Sequence, residues 1–414
     1  MIRDERGFTL VELMITMVIF VLAIAAAANM LTGLITQFKQ QSKVAESNIQ
    51  GVVGLEMLRA DVEQAGYGLP RAVPDLDGNG VPNETADWQG LVNYNEAAND
   101  SATPWDDTVY NDITSTIGRP PRAIVSGEPA NGFTTNNTVN TPSDVLVVKS
   151  ANVSFNATGR KWTYISNTGA TNVMRGWGTI ADENLNSADR VIVIDPEAAS
   201  SQGGMNALIN NGGVFFTKVQ DFPVNGGSAA AFEPFSGSYK SFIVYGISDN
   251  VDPRMPFNRA DYYIRRPTSG MPQRCEPTTG ILYKGTINQS DGNHTELPLL
   301  DCVGYMKVVL ALDMNDDGMA GTFSNADSSS IAGGEGANAT AVQATLTDPA
   351  LLRQRLKQVR IYIVVQEGQI DYTYQSPATI AMPDSDINVP DFTVPNKNYR
   401  WKVYSLVLTP TSLR

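Results

Sequence analysis

The stretch that most constrains this chain runs from Gly7 to about Gly66, because its first half is too apolar for water and its second half is not. From Phe8 to Ile35 the 28 residues carry one charged side chain, Glu12. At about 1.5 Å per residue such a helix spans about 42 Å, enough for the hydrocarbon core of a bilayer and part of its interface. A lone carboxylate there costs about 2.5 to 3.5 kcal/mol at mid-bilayer on insertion scales, so Glu12 needs a reason to be present. From Gln37 the chain turns polar but stays free of proline through Ala65, and Val52, Leu55, Leu58, Val62 and Ala65 recur every three or four residues. That spacing predicts an apolar stripe on one continuous helix of about 59 residues, near 88 Å long, stopped by Gly66 and Gly68 with Pro70 beyond. The second half needs a sheet to cover its stripe.

A short polar leader ending in Gly7, then Phe8-Thr9-Leu10-Val11-Glu12-Leu13, resembles the type IV prepilin signal. The resemblance implies that a prepilin peptidase cuts after Gly7 and that the new amine on Phe8 is methylated. It also implies that Glu12 faces the amine of a neighbouring subunit inside an apolar filament core, where unpaired charge is costly. Two other readings compete: a signal anchor whose Glu12 snorkels to the headgroups, and a secretory signal cut near Ala26 and Ala28.

With 414 residues, 42% hydrophobic and 18% charged, the chain can bury a large core. Its net charge of −13 repels phosphate backbones, so nucleic acid is not an expected partner, and Arg265-Arg266 is the nearest thing to a basic patch. The only two cysteines, Cys275 and Cys302, would meet an oxidising compartment beyond the membrane, where a disulfide is the default and two buried thiols the alternative. Closing a loop of about 28 residues stabilises by roughly 3.5 kcal/mol in the chain-entropy model. A zinc site is disfavoured by the lack of a CxxC and the single histidine, His294.

Residues 67–142 are rich in Asn, Asp, Gly, Pro and Thr and read as a long loop-rich insertion with at most a strand or two, a length that is often functional. From Asp144 short apolar runs alternate with turn-rich segments. They include Val145–Val148, Trp162–Ile165, Val191–Ile194, Val214–Val219, Phe242–Tyr245, Tyr262–Ile264, Ile281–Tyr283 and Val303–Leu312. Their spacing favours antiparallel pairing. Asp348-Pro349 looks like an N-cap with proline at the first helical position, opening a short helix over 348–357. Val359–Val365 and Tyr399–Leu408 are expected as neighbouring final strands with a loop between them. The expected organisation is therefore a leader over 1–7, a membrane or filament-core helix over 8–35, an amphipathic spine over 36–66, the insertion over 67–142 and a β-rich head over 143–414.

In order along the chain, Leu58–Tyr67, Ser143–Val148, Gly280–Tyr283, Val359–Ile363 and Tyr399–Leu408 are similar to the PilW family of minor type IV pilins, related to the PulJ and GspJ pseudopilins of type II secretion. The resemblance implies an α+β, type IV pilin-like fold, with a long N-terminal transmembrane and spine helix on an antiparallel β-rich periplasmic head. It further implies a low-abundance subunit that helps prime a pilus and sits at its tip, passing from the inner membrane to the cell surface. Its partners would be other minor pilins, the major pilin, the prepilin peptidase and methyltransferase, and the inner-membrane assembly platform. A type II secretion pseudopilin is the alternative.

Asp75-Leu76-Asp77-Gly78-Asn79-Gly80 and Asp313-Met314-Asn315-Asp316-Asp317-Gly318 both fit D-x-[DN]-x-[DN]-G, with the carbonyls of Val81 and Met319 as further ligands. Alternating oxygen ligands around a glycine turn suit a hard cation, so structural Ca2+ at one or both loops stands beside the plainer reading of solvated turns. Neither is an EF-hand, since Ala86 and Ser324 stand where a bidentate glutamate is required. No cofactor is otherwise implied. An enzyme finds little support: there is no G-x-S-x-G elbow, and His294 in the polar run Ser290–Thr295 reads as a surface loop residue. The carboxylate pairs Asp106-Asp107 and Asp316-Asp317 are adjacent and also read as loop residues. A third reading is an adhesive ectodomain, in which Trp88, Tyr94, Trp105 and Tyr110 of the insertion either contact sugars and surfaces or form the loop's own core.

Overall fold

The computed structural model describes residues 9–75, 78–81, 84–90, 94–99, 107–114, 117–128, 143–178, 180–198, 206–222, 230–325, 331–333, 338–383 and 389–413. Helix α1 runs from Leu10 to Glu63, 54 residues, capped by Thr9. It ends where two glycines take left-handed backbone, Gly66 at φ 88° and Gly68 at φ 70°. Within it, Leu10–Thr32 has a mean hydropathy of 2.6 and none of that window is buried. Further along, Leu55, Leu58, Val62 and Ala65 are buried against the head, as their spacing requires.

Val52 does not join them, and is 63% exposed. The helix backbone passes so near the sheet there that glycines take the inward positions. A Cβ on Gly54 would lie 2.6 Å from the Leu299 carbonyl oxygen, and one on Gly51 would lie 3.0 Å from the Tyr404 hydroxyl. Val52 is turned about 100° round the helix from Gly51 and is directed away.

Chain order then alternates between two sheets. Beyond the short helix α2 (Thr85–Gln89), strands β1 (Ile124–Gly127) and β2 (Val145–Ser150) start the larger sheet. The chain leaves it to build a second sheet from β3 (Trp162–Asn167), β4 (Asn172–Met174), β5 (Arg190–Asp195), β6 (Ala207–Leu208), β7 (Thr217–Lys218) and β8 (Ser241–Ser248), in the order β4-β3-β8-β5-β6 with β7 on β5. It returns with β9 (Asn258–Arg265), β10 (Gly280–Ile287) and β11 (His294–Leu312). After β12 (Thr322–Asn325) and β13 (Ile331–Gly333) come helices α3 (Ala339–Thr347) and α4 (Pro349–Arg355). Strand β14 (Leu356–Glu367), the small hairpin β15 (Thr379–Ile380) and β16 (Phe392–Thr393), and β17 (Arg400–Leu408) complete it. All pairings between these strands are antiparallel.

Strand β11 organises the larger sheet. Its first half pairs with β10 and its second with β14, the change falling at Cys302–Tyr305, where Cys302 has φ 56°. Cys275 and Cys302 form a disulfide with Cα atoms 5.0 Å apart, stapling the approach to β10 onto that change. The final strands are neighbours as expected, Val359 opposite Leu408 through Glu367 opposite Arg400. Asp348 caps α4 with Pro349 at its start, but the helix stops at Arg355 and Leu356 already belongs to β14. The expected strand over Val214–Val219 is only Thr217–Lys218 before a tight turn, and the segment between the final strands holds the β15–β16 hairpin rather than only a loop.

Candidate assembly site

The helix start is built by a reciprocal cap. The Thr9 hydroxyl accepts from the Glu12 N–H at 3.2 Å, while the Glu12 carboxylate accepts from the Thr9 N–H at 3.0 Å and its hydroxyl at 2.9 Å. A carboxylate in the first turn sits where unpaired N–H groups and the helix dipole favour negative charge. Glu12 is thereby held at the entrance of the apolar run. Gly7 and Phe8 lie outside the described residues.

The packed half of α1 carries its own polar tie. Asp61 lies 2.5 Å from the Lys284 ammonium and accepts from the Tyr262 hydroxyl at 2.5 Å. Burial raises the Asp61 pKa and lowers that of Lys284, both against the charged forms, while their mutual attraction opposes the shift. The helix therefore meets β9 and β10 through one specific pair as well as an apolar stripe.

Part of the 67–142 insertion is folded into the head. Trp88, Tyr94 and Tyr110 are 0%, 5% and 6% exposed, and Tyr94 packs edge to face on Phe257 at 6.0 Å. Of the two readings of these aromatics the burial supports packing rather than surface contact, in a core shared with the head rather than the loop's own. Trp105, Asp77 and Asp106 lie outside the described residues.

A buried ionic network fastens this segment. The Asp112 carboxylate receives Arg122 Nε at 2.6 Å, Arg119 Nε at 2.8 Å and Lys149 Nζ at 2.6 Å. Lys149 also reaches Glu96 at 2.6 Å, and Arg259 joins Glu96 at 3.4 Å to Asp261 at 2.8 Å. Burial alone would raise the Asp112 pKa, but Arg122, Lys149 and Arg119 hold it well below the ordinary value. Burial likewise opposes ionisation of Asp261, yet Arg259 and His294 bring it down to about 2. His294 is a correction: its side chain is 1% exposed at the start of β11, and its Nε2 lies 3.3 Å from Asp261. The polarity of its neighbours hid a long-range partner. A signal existed for Lys149, a cation directly following the apolar run Val145–Val148, since a buried strand charge demands a counter-charge. Nothing local marked Asp112 or Glu96.

Arg265 and Arg266 form no basic patch. Arg265 pairs with Glu296, and Arg266 donates to the carbonyls of Glu276 and Thr279 at 3.3 and 2.6 Å.

The two acidic loops share one hydrogen-bond pattern. In the first, Asp75 accepts from the N–H of Gly78 and of Gly80, each at 2.7 Å, and Asn79 from the N–H of Val81 at 2.7 Å. In the second, Asp313 accepts from the N–H of Gly318 at 2.8 Å and Asp317 from that of Met319 at 2.8 Å. Gly80 and Gly318 take φ 87° and 91°, left-handed backbone that glycine adopts without steric cost. Asn315 donates to Asp317 at 3.1 Å, and the Lys357 ammonium stands 3.2 Å from Asp313. Among the described residues no group of three or more His, Cys, Asp or Glu side chains converges as a metal site.

Comparison with known proteins follows this division of the molecule. Residues 2–28 match a family model described as the prokaryotic N-terminal methylation motif. Residues 261–409 match one described as Type IV pilus-assembly protein W. Among solved structures a type IV-like pilin from Thermus thermophilus is similar, with 11% identity over 38% of this chain and 69% of that one and a TM-score of 0.21, too low to support an argument. No curated protein matches. An apolar N-terminal helix bearing the methylation motif, joined to an antiparallel β-rich head, makes this a type IV pilin-like protein. Its head carries a PilW domain, which runs from β9 to the end of β17.

Proposed function

We propose that the chain is a minor type IV pilin, a low-abundance structural subunit that helps prime filament assembly and stands at or near the tip. The observation that carries the tip assignment is where the second sheet attaches. Just beyond the C-terminal end of α1, Tyr67 meets Tyr245 of β8 edge to face at 5.4 Å, and Ala72 bridges Ala207 of β6. That end is farthest from the apolar half. A subunit within a filament must receive a neighbour there, and a whole sheet beside the helix end obstructs one; a terminal subunit bears no such constraint. The role is structural rather than catalytic, with Glu12 and the Phe8 amine setting register. The partners are the minor and major pilins, the prepilin peptidase and methyltransferase, and the assembly platform. The path runs from the inner membrane, with the head in the periplasm, to the surface.

Mass spectrometry of the N-terminal peptide from sheared surface filaments and from membranes of the same cells tests this reading. Methylated Phe8 at low abundance in sheared filaments is expected. The same peptide confined to membranes would assign the chain to a type II secretion pseudopilus, and an intact leader or a start near Asn29 would overturn the pilin reading. The acidic loops are proposed as structural calcium sites that order surface turns, Lys357 withdrawing from Asp313 on binding. Titration calorimetry of the full chain should lose part of its calcium heat in the Asp313→Ala/Asp317→Ala variant, and unchanged heat removes the second loop.

A further inference from the structure

The second sheet lies wholly outside both matched segments, and beside its strand β3, which carries Trp162, stand Phe155 from the chain before it and Trp177 from the turn after β4, all three partly exposed. Phe155 is 40% and Trp162 38% exposed, and with Trp177 they line a groove of about 650 Å³. That volume is within the ~300–1,000 Å³ of ordinary ligand sites. The groove is also held in shape. Trp177 donates its indole N–H to the Trp162 carbonyl at 2.7 Å, its backbone N–H to Asn184 at 2.7 Å, and stacks under Arg175 at 4.5 Å. The two indoles meet at 5.1 Å and 67°, so Trp162 is a fixed platform rather than a loose surface ring.

Around that platform stand Arg160, Asp182 and Glu183, whose charged groups make no hydrogen bond or close ion pair among the described residues. Their presence narrows the occupant. An apolar peptide or acyl chain would strip water from both carboxylates and a guanidinium without replacing it, at a cost in free energy. An ion of one sign would face repulsion from one side of the rim. A polyhydroxylated ring suits the whole groove: its C–H face lies on the indole, its hydroxyls donate to Asp182 and Glu183, and its oxygens accept from Arg160.

We infer that the groove between Phe155, Trp162 and Trp177 binds a neutral glycan. The residues lining the groove lie outside both matched segments, although Lys284 of β10 stacks on Phe155 at 4.9 Å, and glycan binding is read without reference to where the subunit sits in a filament. The test uses the full chain in a detergent without a sugar headgroup, applied to a printed array of neutral, amino-sugar and uronic or sialylated glycans. Saturable binding to neutral glycans is expected. Trp162→Ala should weaken it by about tenfold or more, the loss expected of a stacked aromatic contact. Asp182→Asn/Glu183→Gln, which alters only exposed carboxylates, should weaken it several-fold with near-ultraviolet dichroism unchanged. Binding to no neutral glycan, or equal binding by the wild type and both variants, overturns the proposal. So does capture of a pilin subunit through this groove while all glycans stay silent.

Discussion

Replacing Asp112 with Asn isolates the charge at the centre of the buried network while preserving its shape. The carboxylate takes three cationic donors at 2.6 to 2.8 Å and the Arg122 N–H at 2.9 Å. Asn leaves Arg122 and Lys149, both nearly solvent-free, facing a carboxamide, and the local balance of Arg119, Arg122, Lys149 and Arg259 against Glu96, Asp112 and Asp261 becomes more positive. Breaking a buried pair from one side costs about 3 to 5 kcal/mol, because the stranded charge keeps its desolvation penalty. Denaturant unfolding of the full chain in detergent micelles, followed by near-ultraviolet dichroism at pH 7, should register that loss. Limited proteolysis should cut the variant first within 107–122. The pH dependence supplies the sign. Asp112 ionises below its ordinary 3.8 in the folded chain, so its contribution is fully present above 3.8 and is lost as pH falls through the folded value. Wild type and variant should therefore converge in acid. A difference under about 1 kcal/mol at pH 7, or one that does not narrow in acid, would refute the clamp.

Gly54→Leu should lower stability by about 1 to 3 kcal/mol through collision with the Leu299 carbonyl, whereas Val53→Leu, one position away and exposed, should leave the melting temperature unchanged. Cys275→Ser should cost roughly 3.5 kcal/mol and abolish the mobility shift between reducing and non-reducing gels. Glu12→Leu should keep membrane insertion and leader cleavage but deplete the chain from sheared filaments, read by immunoblot of the two fractions; equal recovery would remove Glu12 from assembly.

The legible parts of this molecule are those whose cause is local. Proline after Asp348 and the paired apolar runs over Val359–Val365 and Tyr399–Leu408 each carry their reason within a few residues, and all appear as expected. The disulfide was legible because two cysteines admit one pairing. What failed was decided across the chain. Val52 fitted the periodic stripe, but the closeness of Leu299, almost 250 positions away, hands the inward face to Gly51 and Gly54. His294 reads as exposed because polar residues surround it, yet it is buried against Asp261 on β9, and Trp88, Tyr94 and Tyr110, which the sequence leaves open between surface contact and core, are buried, Tyr94 against Phe215 and Phe257. At the candidate site the sequence marks Glu12 by its lone charge, whereas its reciprocal cap with Thr9, three positions away, comes from the structure.

The bare stretch from Leu10 to Thr32 has a thermodynamic consequence for any process that moves it. Acyl chains solvate aliphatic side chains about as well as neighbouring helices do, so passage from a bilayer into a protein bundle is a partition between two oils, with little hydrophobic gain. The direction of that partition must be set by what oil cannot supply: close packing, a counter-charge for Glu12, and grip on the head.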